Sequence, residues 1–285
     1  MFPWRPDAKP VENLPTMRRF MPFISPRRND SLFYMYQDIE VDAALEYLAK
    51  KNAERPPERQ LTLFHLLLRA CSQALVLRPG MNRFVKAGRL WQRDGVWITF
   101  SAKREIKDGS PMITVKQQFH PESESLDEML ERYFSRLGPQ RAGKKTQSDK
   151  EMNLMLRLPG VAVQLLLKAA GVLDYFGLLP RKMIDADPLY TSVFLANLGS
   201  IDYPAGHHHL WEYGTASVFG VMGRVELGSD GQRRMKVAWT YDERIEDGLY
   251  SYHALEGVRE RFRNPELLEL STGELAGRAS GGLVR

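Results

Sequence analysis

Asp242-Glu243-Arg244-Ile245-Glu246-Asp247-Gly248 sets acids on both sides of an arginine, between an alternating, strand-like segment and a helical one. A carboxylate in such a loop can serve as a general base if its surroundings favour the neutral form. An ordinary glutamate titrates near ~4.3, about four units below a thiol near ~8.5, and burial can close part of that gap. A second concentration of titratable groups is Gly206-His207-His208-His209-Leu210-Trp211. Consecutive side chains in a strand or loop diverge, so these three imidazoles do not converge on one metal ion, and no metal site is expected. The run reads as a polar surface loop, as a substitute base, or as a cluster at a subunit junction. Hydroxyls occur at Ser192 and Ser200, on either side of Ala196-Asn197-Leu198-Gly199. His65 and Cys71 lie in an apolar helical stretch, and His253 lies one turn into the last long helix. All three read as packing groups rather than reactive ones. No Walker, Rossmann or Ser-His-Asp pattern is present.

These groups need elements to position them. Residues 1–16 hold several prolines and read as an extended arm. "SLFYMYQDIEV" (31–41) reads as a strand, followed by a helix in "VDAALEYLAKKNAE" and a more apolar, central one in 59–77. Strand patterns recur in "RLWQRDGVWITFSA", with a turn at Asp94-Gly95, and in "PMITVKQQF". An amphipathic helix at 125–137 leads to a polar, flexible loop at 138–150 and an apolar helical pair at 152–180, expected to be buried or half-buried. The last third alternates: "YTSVFLANLG", "GTASVFGVMGRVEL" and "RRMKVAWTYD", with "GSDG" (228–231) turning between the last two. Met235, Val237, Trp239 and Tyr241 share one strand face. A helix closes the domain, and 271–285 reads as a disordered tail. The class is α+β, a large mixed sheet with helices packed on one side.

Composition narrows the function classes. The 285 residues are 43% hydrophobic and 26% charged, which supplies a core. One cysteine excludes an internal disulfide framework and suits a reducing cytoplasm. The N-terminus has no apolar run after its charges, so no secretory signal is expected. The net charge of +5 is spread along the chain, and no nucleic-acid module accompanies it, so no nucleic-acid partner is expected. In 153–180 an apolar segment carries basic residues, which raises a peripheral membrane or lipid contact.

Four segments in order carry a likeness to a known family. They are "PTMRRFM" with "FYMYQDIEVDAALEYL", "ACSQALVLRPGMNRFV", "VFLANLGSID", and "AWTYDERIEDG" with "NPELL". Together they resemble the catalytic domain of the dihydrolipoyl acyltransferases of 2-oxo acid dehydrogenase complexes, a chloramphenicol acetyltransferase-like fold, over residues 17–270. The third resembles F-T-I-S-N-L-G and the fourth D-H-R-x-x-D-G. The resemblance implies a homotrimer or a cage of trimers, an active site between subunits, coenzyme A or acyl-CoA as substrate, and no covalently bound cofactor. It also implies a histidine base, and an oxyanion hydroxyl supplied across the interface.

This sequence departs from the pattern at both chemical positions. Glu243 stands where the family has histidine, and Ala196 where it has the hydroxyl. Asp242, Arg244, Asp247 and Gly248 match the signature, and Asn197, Gly199 and the following Ser200 surround the oxyanion position. Asp247 corresponds to the acid that supports the loop. The expected function is acyl transfer between CoA and a thiol or other acceptor, from a small acyl donor, with Glu243 as base. The alternative is a catalytically degenerate trimeric scaffold or ligand-binding protein on the same fold.

Overall fold

The computed structural model describes residues 4–103, 107–110, 112–143 and 152–281. In chain order the elements are β1 (Ala8–Pro10), α1 (Thr16–Ile24), β2 (Leu32–Glu40), α2 (Asp42–Asn52), α3 (Leu63–Leu77), β3 (Arg83–Lys86), β4 (Arg89–Arg93), β5 (Val96–Lys103) and β6 (Met112–Phe119). There follow α4 (Leu126–Arg141), α5 (Gly160–Tyr175), α6 (Arg181–Ala186), β7 (Val193–Asn197), β8 (Val218–Leu227), β9 (Arg233–Asp242), α7 (Gly248–Arg263) and α8 (Thr272–Gly281). A six-stranded sheet runs β2-β9-β8-β7-β5-β6, and a three-stranded sheet runs β1-β4-β3. In the large sheet β7 is parallel to both β5 and β8, and the other pairs are antiparallel. This is the mixed α+β arrangement that the patterning implies.

Alternation decides which face each strand residue takes. Met235, Val237, Trp239 and Tyr241 are all buried in one core with residues of α3, α4 and α7. Several polar groups inside that core are paired. The Trp239 indole donates to Gln37 Oε1 at 3.0 Å, and the Gln37 amide donates to the Leu255 carbonyl at 2.7 Å. On α3, Arg69 donates to the Leu268 carbonyl at 3.0 Å, and Gln73 to the Leu270 carbonyl at 2.9 Å. These bonds tie the C-terminal segment to the central helix.

Several expectations change on folding. The opposite face of the sheet is not bare: Phe194, Phe219, Val221 and Ala238 form a second cluster there under Leu210 and Trp211. The Asp94-Gly95 turn joins no paired strands but carries the chain from the small sheet into the large one, Gly95 taking a φ of +71°. The N-terminal arm is docked as β1, with Arg5 and Asp7 buried. Residues 272–281 of the expected tail form α8, with Leu275 buried and a Ser271–Glu274 cap at the start of the helix. Residues 144–150 of the expected flexible loop lie outside the described residues, while α4 extends to Arg141. The apolar 152–180 segment is the largest departure: α5 buries only Asp174.

His65 is a core histidine, as its apolar neighbourhood suggested. Its Nδ1 accepts from the Thr62 N–H at 3.1 Å, and its ring meets Tyr133 edge-on at 4.5 Å. Burial pushes its pKa down from 6.5 to about 4. A folded-state pKa below the unfolded one means that the unfolded chain takes up a proton first, so stability is lost as pH falls from 6.5 towards 4. Between pH 7 and pH 5 this group should remove about 2 kcal/mol of folding free energy. Denaturant titrations at the two pH values should show His65→Gln losing less than the wild type by about that amount.

Candidate active-site loop and the two ends of the sheet

β9 ends at Asp242, and the loop that follows is held by buried charge. Asp242 and Arg244 both turn inward and form a two-pronged pair, Nε to Oδ1 and Nη2 to Oδ2, each at 2.7 Å. Arg244 also donates to the carbonyls of Ser25 at 2.8 Å and Pro26 at 3.0 Å. Arg28 stands 3.8 Å from Asp242 and reaches the Trp211 carbonyl and, at 3.1 Å, the Gly214 carbonyl. Burial lowers the Arg28 pKa, and Asp242 acts in the opposite direction. Glu212 accepts from the backbone N–H groups of Arg28 at 3.1 Å and Asn29 at 2.9 Å. One clamp therefore joins the segment before β2, the loop after β9 and the loop before β8.

With residues 242 and 244 directed inward, residue 243 is directed outward. Glu243 is exposed, and among the described residues its carboxylate forms no ion pair. Its backbone is fixed: its N–H donates to the Ser31 carbonyl at 2.9 Å, and its carbonyl accepts from Arg18 at 2.7 Å. Glu246 pairs with Arg83. Asp247 caps α7, its carboxylate accepting from the Tyr250 N–H at 2.8 Å. Gly248 opens α7, and a Cβ there would meet nothing within 4 Å in the single chain.

The Ala196 position lies at the other end of the sheet. Ala196 pairs with Val221, and Val221 with Ala238, so Ala196 is level with a residue five positions before Glu243 on β9. Five residues along a strand and two strands across amount to roughly 20 Å. One chain does not bring the two positions together. Ala196 is half-buried against the second apolar cluster. Beyond it, the Ser200 hydroxyl donates to the Asn197 carbonyl at 2.9 Å, and the Ser200 N–H to Asn197 Oδ1 at 3.1 Å. Gly199 is required by close approach, because a Cβ there would lie 2.5 Å from the Gly223 carbonyl oxygen. Ser192 is spent elsewhere, its Oγ accepting from the Trp97 N–H at 3.0 Å.

The histidine run spreads over the same back face. His207 packs on Tyr36 at 4.3 Å and edge-on to Tyr34 at 5.3 Å, while His208 stacks on Phe219 at 4.3 Å. His209 stacks on His208 at 4.6 Å and is otherwise exposed. Burial lowers the His207 pKa and favours the neutral ring. Among the described residues no three metal-binding side chains gather. His207 lies between Tyr34 and Tyr36, which pair with Thr240 and Ala238, three and five residues before Glu243, so it is roughly 10–17 Å from Glu243 along the sheet. His253 proves to be exposed on α7 rather than packed. Sequence reading missed Arg28, Glu212 and Arg83, and Arg18 entered only as part of the "PTMRRFM" segment.

Breaking the clamp should unfold the loop's support. Arg244→Leu leaves Asp242 buried without its partner and should cost about 3–5 kcal/mol. Glu243→Gln alters an exposed side chain and should stay within about 0.5 kcal/mol of wild type in the same urea titration.

No protein-family model matches the sequence, and no curated protein does either. Solved structures do match. A probable dihydrolipoamide acetyltransferase from Listeria monocytogenes is 14% identical, with 89% of this chain and 94% of that chain covered and a TM-score of 0.57. A truncated catalytic core of the 2-oxoacid dehydrogenase multienzyme complex from Thermoplasma acidophilum is 14% identical, with 90% and 98% covered and a TM-score of 0.58. A chloramphenicol acetyltransferase is 16% identical, with 89% and 98% covered and a TM-score of 0.52. At these identities the likeness is one of fold, and the fold of this chain is chloramphenicol acetyltransferase-like.

Proposed function

We propose that this protein transfers an acyl group between coenzyme A and a thiol or other acceptor, as a homotrimer with sites between subunits. Glu243 takes the place of the histidine base. The observation that carries this reading is the buried Asp242–Arg244–Arg28 clamp, which holds the loop so that residue 243 alone projects from the end of β9. Buried ion pairs contribute little net stability but over-determine geometry, which suits a loop whose task is presentation. The roughly 20 Å between Glu243 and Ala196 within one chain favours a site completed by a second copy.

In this scheme the Glu243 carboxylate accepts the proton of the attacking thiol. The thiolate adds to the thioester carbonyl, the tetrahedral intermediate collapses, and the departing thiolate takes the proton back. Enclosure between subunits is what makes a carboxylate a usable base. Asp247 and the cap it forms on α7 position the loop rather than touch substrate. Ala196 offers no hydroxyl to the oxyanion, and a missing donor of that kind slows turnover by a factor of about 10² to 10³.

A second reading is favoured by Ala196 itself, whose methyl group packs against an apolar cluster. The protein would then be a trimeric scaffold or ligand-binding protein without turnover. Thiol release from acyl-CoA of several chain lengths, with dihydrolipoamide as acceptor, separates the two. The transferase reading expects turnover by the wild type, a kcat lowered by about 100-fold or more in Glu243→Gln, and a gain of about 100-fold in Ala196→Ser. No turnover by the wild type, together with turnover by the Glu243→His, Ala196→Ser double variant, would establish the scaffold reading.

A further inference from the structure

α5 is apolar and almost wholly unpartnered. Val161, Leu165 and Val172 are 69%, 61% and 56% exposed, and Leu166 and Leu173 continue the same surface. At 100° per residue these five side chains span an arc of about 140° on one side of the helix. No polar side chain falls within the arc; Gln164, Lys168 and Tyr175 lie together along its edge. The opposite side attaches through Ala170 against a small cluster of Leu179, Ile184 and Tyr190, and through Asp174.

The foot of the helix is anchored by charge. Asp174 is fully buried and pairs with Arg5 at 2.8 Å and Lys86 at 2.5 Å. Arg5 in turn pairs with Asp7 at 3.0 Å. Where the chain leaves the helix, a Cβ on Gly177 would lie 2.0 Å from the Trp4 carbonyl oxygen, so the arm and the helix end are in close contact. Trp4 itself is 62% exposed, and Tyr175 and Phe176 are exposed beside it. The helix is thus a rooted projection with aromatic rings at its base.

We propose that α5 is a membrane-surface docking element that seats its apolar arc in the interface of an anionic bilayer. Charge selects this occupant. Between residues 152 and 183 the exposed charges are Arg157, Lys168, Arg181 and Lys182, and the one acid, Asp174, is buried. Arg181 also pairs with Asp185, leaving the other three directed outward. A basic border around an apolar surface suits phosphate headgroups, each cation contributing about 1 kcal/mol near such a surface. Two copies of this face meeting about a twofold axis would instead set like charges against each other. The helix has 16 residues, about 24 Å, and so lies in the interface rather than crossing a hydrocarbon core of about 30 Å. The one described helix long and apolar enough to cross, Pro57–Leu77, is the buried core helix. Trp4, Tyr175 and Phe176 occupy the level where aromatic side chains meet headgroups.

Co-sedimentation of the full chain with vesicles of phosphatidylcholine, with and without phosphatidylglycerol, tests this directly. The expected result is pelleting with the anionic vesicles, about tenfold above the neutral ones, and declining as salt is raised. The Leu165→Glu, Val172→Glu double variant should lose about tenfold of that binding, with an unchanged melting temperature because both positions are exposed. Lys168→Glu with Lys182→Glu should abolish the preference for anionic over neutral vesicles. The proposal is overturned if the wild type stays in the supernatant with both compositions. It is equally overturned if the apolar surface proves to be a subunit contact, that is, if the Leu165→Glu, Val172→Glu variant dissociates an oligomer while vesicle binding is unchanged.

Discussion

The Asp242–Arg244 pair is the constraint on which the candidate site depends. A carboxylate and a guanidinium, both sequestered from water, satisfy each other through two bonds of 2.7 Å. The remaining donors of Arg244 close onto the backbone just before β2. Taking two charges out of water costs several kcal/mol per ion, and that cost is recovered only in one geometry. The loop therefore has one conformation, and residue 243 has one direction. Arg28 extends the same logic to the loop carrying Glu212, so that three distant stretches of chain share a single electrostatic anchor.

The sheet also sets the two candidate positions apart. Parallel pairing of β7 with β8 and antiparallel pairing of β8 with β9 set the Ala196–Gly199 turn and the Glu243 loop at opposite ends. No side-chain movement spans roughly 20 Å, so chemistry that uses both ends takes them from different copies. A second cluster, buried Arg5, Asp7 and Asp174 with half-buried Lys86, anchors α5 in the same way as the first anchors the loop. In both places charge is buried where an outward-facing feature must be held still.

The acids and arginine of the signature loop were legible as a site, because ionisable groups between a strand and a helix stand out in any chain. Their partners were not. Arg28 and Glu212 lie 184 residues apart and meet only because β2 and the 207–214 loop flank the end of β9. The burial of the strand face Met235–Val237–Trp239–Tyr241 followed from a period of two, and the position of α3 at the centre from its apolarity on most sides. The exposure of α5 did not follow. An apolar helix meant for the core and one meant for another surface have the same composition, and only the absence of a neighbouring layer separates them. The N-terminal arm is extended where β1 forms, but prolines say nothing about whether a sheet edge will receive such a segment.

By itself the sequence determined the alternation, the helix periods, the turn residues and the identity of the groups at 196 and 243, because these depend on neighbours along the chain. Tertiary structure alone decided that Asp94-Gly95 changes sheets, that Arg5 and Asp174 are buried together, that the imidazoles of 207 and 208 rest on different strands, and that α5 stands free. Each of those outcomes is a meeting, or a failure to meet, of residues far apart in sequence, and the free energy that settles it comes from desolvation and packing.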